Sequence, residues 1–118
     1  SLTKYRLIID ELGGWNTFQS ILDALSRVAH GRRTSLPSVA LRWVLDQEAV
    51  AATITGIDSV DQAFDILGVF EIDLDGADKS ILESAMDQAV GPAGPVYGLE
   101  REMDGPHGRI MRYNLNRE

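Results

Sequence analysis

The chain has 118 residues, 44% hydrophobic and 25% charged, which sizes it for one compact domain with a single core rather than a large layered enzyme. Eleven Lys plus Arg against eighteen Asp plus Glu give a net charge of -7, which argues against nucleic acid or an anionic membrane as a partner reached through a general basic surface. There is no cysteine, so disulfides, thiolate metal sites and cysteine nucleophiles are excluded.

Leu2, Tyr5, Ile8, Ile9 and Leu12 recur at helical spacing and predict a short helix that Gly13 and Gly14 stop. Asn16 is a candidate cap for a second helix, with Phe18, Ile21, Leu22, Leu25, Val28 and Ala29 on one stripe up to Gly31. Ser35 predicts the N-cap of a third helix, Pro37 suits its first turn, and Leu36, Val39, Ala40, Trp43 and Val44 form its apolar stripe.

Val50 to Thr55 is apolar or β-branched throughout and predicts a strand covered on both faces. Ser59 then caps a helix carrying Val60, Ala63, Phe64 and Leu67. A brief extended piece follows from Val69 to Ile72, and Asp75 caps a last helix with Ala77, Ile81, Leu82, Ala85 and Met86. From Val90 the composition turns rich in glycine and proline, which predicts a tail that wraps over the surface or over a partner. The expected organisation is a helical segment over residues 1–90, with one strand near 50–55, and a tail over 91–118. A single strand leaves its backbone donors and acceptors unpaired on both edges, so its neighbours must come from elsewhere.

Two histidines, His30 and His107, lie too far apart in sequence for a metal-ligand spacing, and no metal site is predicted. His30 follows a helix end, where an imidazole suits the dipole. No serine sits in a nucleophile elbow, and Arg32 and Arg33, just past a helix, complement its negative end. The turn "TGIDS" is the strongest candidate site: Gly56 permits close backbone approach, and the free N–H groups near Ser59 favour an anion at the helix N-terminus. An ordinary strand-to-helix turn needs the same residues.

The stretch "SLPSVALRWVLDQEAVAATITGIDSVDQAFDIL" resembles the C-terminal part of aldo/keto reductases, in which a helix of this wording precedes the final barrel strand. The preceding "LTKYRLIIDELGGWNTFQSILDALSRVA" and the tail "GPAGPVYGLEREMDGPHGRIMRYNLN" are similar to one branch of that family. The resemblance implies a mainly α segment with one or two short strands, corresponding to the last βα part of a (β/α)8 barrel, a fold of ~250 residues when complete. It also implies NADP or NAD as the parent family's cofactor, and hydride transfer between NADPH and a carbonyl. The catalytic aspartate, tyrosine, lysine and histidine come from earlier strands. No catalytic role passes to Tyr5, Tyr97 or Tyr113, which match none of those motifs.

The family's cofactor motif here runs approximately G-x-R-S-x-x-Q-x-x-x-N. Gly56, Ser59 and Gln62 match it, while Asp58 replaces the arginine and Ile66 the asparagine. A carboxylate in place of the guanidinium reverses the sign of a contact worth on the order of 4 kcal/mol at 4 Å and an effective dielectric near 20. NADH, or no nucleotide, becomes the expectation. The chain is therefore expected to be inactive alone and cytoplasmic, and to need either a missing N-terminal barrel portion or further copies of itself. Its first residue, Ser1 rather than Met, suggests processing, a tag remnant or truncation. The alternative is a non-catalytic helical module that self-associates.

Overall fold

The computed structural model describes residues 2–111; Tyr113 and the end of the tail lie outside the described residues. The chain folds as helices: α1 (Leu2–Leu12), α2 (Gly14–Arg32), α3 (Leu36–Leu45), α4 (Val60–Leu67), α5 (Gly76–Met86), α6 (Val96–Arg101) and α7 (Pro106–Arg109). They fall into two compact units, residues 19–87 and residues 2–18 with 88–111.

In the unit of residues 19–87 the core is Val28 and Ala29 of α2, Val39 of α3, Leu82 of α5 and, just before that helix, Leu74. Leu25, Leu36, Trp43, Ile72 and Ile81 pack around it. These are the apolar stripes expected of α2, α3 and α5, with Trp43 in the packing as its spacing requires. Gly31 does not stop α2. The helix ends one residue later, at Arg32, with Arg33 in the left-handed region at φ 55; the Arg33 N–H donates to the His30 carbonyl at 3.2 Å and the Thr34 N–H to the Ala29 carbonyl at 3.0 Å. This is a Schellman closure with arginine where glycine is usual.

In this unit α3, α4 and α5 each begin on a side-chain cap. The Ser35 Oγ accepts from the Ser38 N–H at 3.3 Å. Asp75 and Asp78 form a reciprocal capping box: Asp75 Oδ1 accepts from the N–H groups of Ala77 and Asp78 at 2.9 Å, and the Asp75 N–H donates to Asp78 Oδ2 at 3.3 Å. Arg32, at the end of α2, pairs with both carboxylates, its Nε donating to Asp78 Oδ2 at 2.6 Å. The expected role of Arg32 at a helix end is thus played across to the start of α5, where cation and anions each suit the dipole they face. The Asp78 N–H bond, more than the Arg32 guanidinium, holds the Asp75 carboxyl below its ordinary 3.8.

Two expected extended segments are corrected. Among the described residues no strand forms; residues 50–58 are irregular, and Ile54, expected in a covered strand, is fully exposed at 103%. A ladder needs a neighbour to accept its N–H groups, and the described residues provide none. Of the expected extended run Val69 to Ile72, only Ile72 is extended, at φ -84 and ψ 124. Gly68–Glu71 forms a 3₁₀ turn that continues α4, with the Ile72 N–H donating to the Val69 carbonyl at 3.3 Å, and Val69 is buried. A smaller correction concerns Asn16, which lies inside α2; that helix starts at Gly14, after Gly13 turns the chain at φ +125.

In the other unit the glycine-rich tail folds back along α1. The Val90 N–H donates to the Leu12 carbonyl at 3.1 Å, His107 Nε2 lies 2.7 Å from Glu11 Oε2, and Lys4 pairs with the buried Glu100. The hydrogen bond to Glu100 holds the Lys4 ammonium above its ordinary range. Gly91 and Gly108 allow these approaches, since a Cβ at Gly91 would meet the Glu11 carbonyl oxygen at 2.6 Å and one at Gly108 the Glu102 carbonyl oxygen at 2.0 Å.

Two outcomes follow. Gly108→Ala opens the tail without disturbing residues 19–87, read as faster amide exchange confined to 88–111. Because the folded Asp75 carboxyl sits below 3.8, its contribution to stability is complete above that value and is lost as pH falls through the lower, folded value. Asp75→Asn therefore flattens the acid limb of the stability-against-pH curve below about pH 4, measured by urea denaturation.

Candidate functional site

The turn from Gly56 to Gln62 is organised by its own side chains. Ser59 takes an extended conformation, φ -143 and ψ 159, and its hydroxyl oxygen accepts from the Gln62 N–H at 3.2 Å. Gln62 returns the contact one residue further out, its Oε1 accepting from the Asp58 N–H at 3.0 Å. This is a capping box shifted by one position. Ser59 and Gln62, the two polar residues that match the cofactor motif, thus satisfy α4's own backbone.

Gly56 has no need of a left-handed conformation here, and a Cβ on it would meet nothing within 4 Å. The space beside it lies in a cleft of about 180 Å³ between α3 and the start of α4, lined by Pro37, Ser38, Leu41, Thr55, Gly56, Gln62, Asp65 and Ile66. The structure brings Gly56, Gln62 and Ile66 together around this cleft, and leaves Asp58 and Ser59 exposed outside it. Ile66, in place of the asparagine, lines the cleft with Leu41 and Pro37 of α3. Such a volume is below the ~300 Å³ at which small-molecule sites usually begin.

Ser38 is the cleft residue that periodicity missed. Buried at 3%, it donates its hydroxyl to the Asp65 carbonyl at 3.2 Å, which leaves Ser35 as the donor in the 2.8 Å contact between the two hydroxyls. A serine one turn into a helix already capped by serine is the signal that could have marked it.

The electrostatics of the turn oppose an incoming anion. Asp58 stands just before the cap and Asp61 in the first turn, so the positive end of α4 already faces two carboxylates. Neither has an ion-pair partner among the described residues.

His30 is exposed in the last turn of α2, as its position suggests. His107 is buried at 2% against Glu11, and its Nδ1 has no hydrogen-bond partner among the described residues. Tyr5 and Tyr97 are exposed. Trp15 packs on Phe18 with ring centroids 5.6 Å apart and lines an open cavity of about 510 Å³ with Leu2, Tyr5, Arg6, Ile9 and Asp10. Among the described residues no group of three or more His, Asp or Glu is placed to hold a metal, and no helix is long and apolar enough to cross a membrane.

The family model of the aldo/keto reductase family matches residues 2–87, and the chain belongs to that family. Residues 88–111, the described part of the tail, lie beyond the match. No curated protein and no solved structure matches the chain.

Replacing the cap tests the turn itself. Ser59→Ala lowers stability by about 1 kcal/mol, the usual cost of losing a serine N-cap, in urea denaturation followed by circular dichroism.

Proposed function

We propose that the chain is the C-terminal segment of an aldo/keto reductase-type oxidoreductase, supplying the adenosine-side turn of a nicotinamide nucleotide site while the reacting groups come from outside it. The observation that carries this reading is the segment 50–56: apolar or β-branched in sequence, ending in Gly56, yet left unladdered between two capped helices of a chain in the family. Completing a sheet would give that backbone the partners it lacks.

Within that reading Gly56, Ser59 and Gln62 keep the shape of the turn, and Asp58 sets which nucleotide it accepts. A carboxylate repels the 2'-phosphate of NADPH and accepts a hydrogen bond from the 2'-hydroxyl of NADH, so NADH is favoured. Tyr5 and Tyr97, exposed and outside the family's catalytic motifs, take no part in hydride transfer.

The 118-residue chain alone oxidises neither NADH nor NADPH in the presence of carbonyl substrates. Combined with a polypeptide that supplies the remaining strands, it oxidises NADH in preference to NADPH. There Asp58→Arg moves the ratio toward NADPH by about tenfold or more, since even a screened reversal of charge exceeds 1.4 kcal/mol. Turnover by the 118-residue chain itself overturns the proposal.

A further inference from the structure

The backbone of residues 51–57 is left to water. None of its N–H or C=O groups has a hydrogen-bond partner among the described residues, whereas Val50 before it donates to the Gln47 carbonyl at 3.2 Å and Asp58 after it to Gln62 Oε1 at 3.0 Å. The side chains of the run fall on two sides. Thr53 and Thr55 are half-buried, Thr55 against the cleft beside α3, while Ala52, Ile54 and Gly56 are exposed. Ile54 has no cover from its own chain.

Composition adds to this. Residues 49–57 contain no charge and no proline, and Val50, Thr53, Ile54, Thr55 and Ile57 are β-branched. An unpaired run of this kind is a template for a ladder with another chain. What restrains it lies at its ends, where Glu48 and Asp58 are the nearest charges and act as gatekeepers.

We infer that this edge pairs with a second copy of the chain, in an antiparallel ladder centred on Thr53. An identical segment brings N–H and C=O groups at the same spacing, and a two-fold relation lets each copy satisfy the other. In that register Thr53 faces its own equivalent, Ile54 faces Ala52 and Gly56 faces Val50, so no charge enters the ladder. Both ends set Glu48 opposite Asp58, and like charges opposite one another oppose pairing. Added salt screens them and strengthens association, the reverse of an ion-paired interface. Two strands by themselves pair weakly, so the dimer grows with concentration. The inference stands apart from the nucleotide reading, because it concerns the edge in the isolated chain and needs no turnover.

Sedimentation velocity of the 118-residue chain over a wide range of concentration tests it. The average mass rises with concentration, and the dissociation constant falls by about threefold or more between ~0.05 and ~0.5 M salt. Ile54→Pro removes one ladder N–H at an uncovered side chain and weakens association by about tenfold or more, with helicity unchanged by circular dichroism, while Ile54→Val retains it. Because the chain has no cysteine, single replacements read the register. Thr53→Cys cross-links two copies under mild oxidation, whereas Val50→Cys, whose equivalent lies about 20 Å away along the ladder, does not. A monomer at every concentration, association that Ile54→Pro leaves intact, or cross-linking through residue 50 as readily as through residue 53 overturns the inference.

Discussion

Every buried backbone N–H and C=O needs a partner, and among the described residues none is supplied by a neighbouring strand. Helices meet the requirement internally except at their ends, so the fold rests on how those ends are closed. Ser35, Ser59 and the Asp75–Asp78 box cap three starts, and Arg33 closes α2. Arg32 then ties the end of α2 to the start of α5 through the two carboxylates of that box. The core of Val28, Val39, Leu74 and Leu82 assembles between elements fixed in this way. Where capping cannot help, at 50–58, the backbone stays irregular and exposed.

The same closure changes what the Gly56–Gln62 turn offers a ligand. A helix N-terminus attracts anions because its first N–H groups are unpaired. Here Ser59 takes the Gln62 N–H and Gln62 takes the Asp58 N–H, while Asp58 and Asp61 bring two negative charges to the dipole. Ser59 and Gln62, which match the family's motif, use their polar atoms on the turn's own backbone. What remains is shape: a capped turn, open beside Gly56, next to a cleft that Ile66 makes partly apolar.

Much of the helical layout was legible in the sequence because the signals were local. Ser35, Pro37, Ser59 and Asp75 mark helix starts through bonds that span two or three residues, and the stripes of α2, α3 and α5 follow from period alone. The segment 50–55 misled because β-branched composition reports fitness for a sheet, and not whether a sheet is present. Val69–Ile72 misled in a similar way, the 3₁₀ turn being an extension of α4 that no propensity separates from an extended run. The pairing of Glu11 with His107 spans 96 positions, and no local pattern announces it. In the candidate site, Ser59 and Gln62 were legible as motif residues, yet their roles as mutual caps were not, and Ser38 emerged only when α3 met the Asp65 carbonyl.

The tail and α4 pose opposite halves of one question about burial. Residues 88–111 lie beyond the family match, yet they cover α1 with a buried histidine against a carboxylate and a buried carboxylate against a lysine. A buried polar group is costly to leave without its partner, so these contacts favour one seating of the tail over its alternatives. On α4 the reverse holds. A member of the family leaves Val60, Phe64 and Leu67 in water while polar Gln62 and Asp65 face its own α3. The apolar residues of a helix ordinarily define its inward face. Here they point outward, and the side chains that α4 half-buries are Ala63 and Ile66.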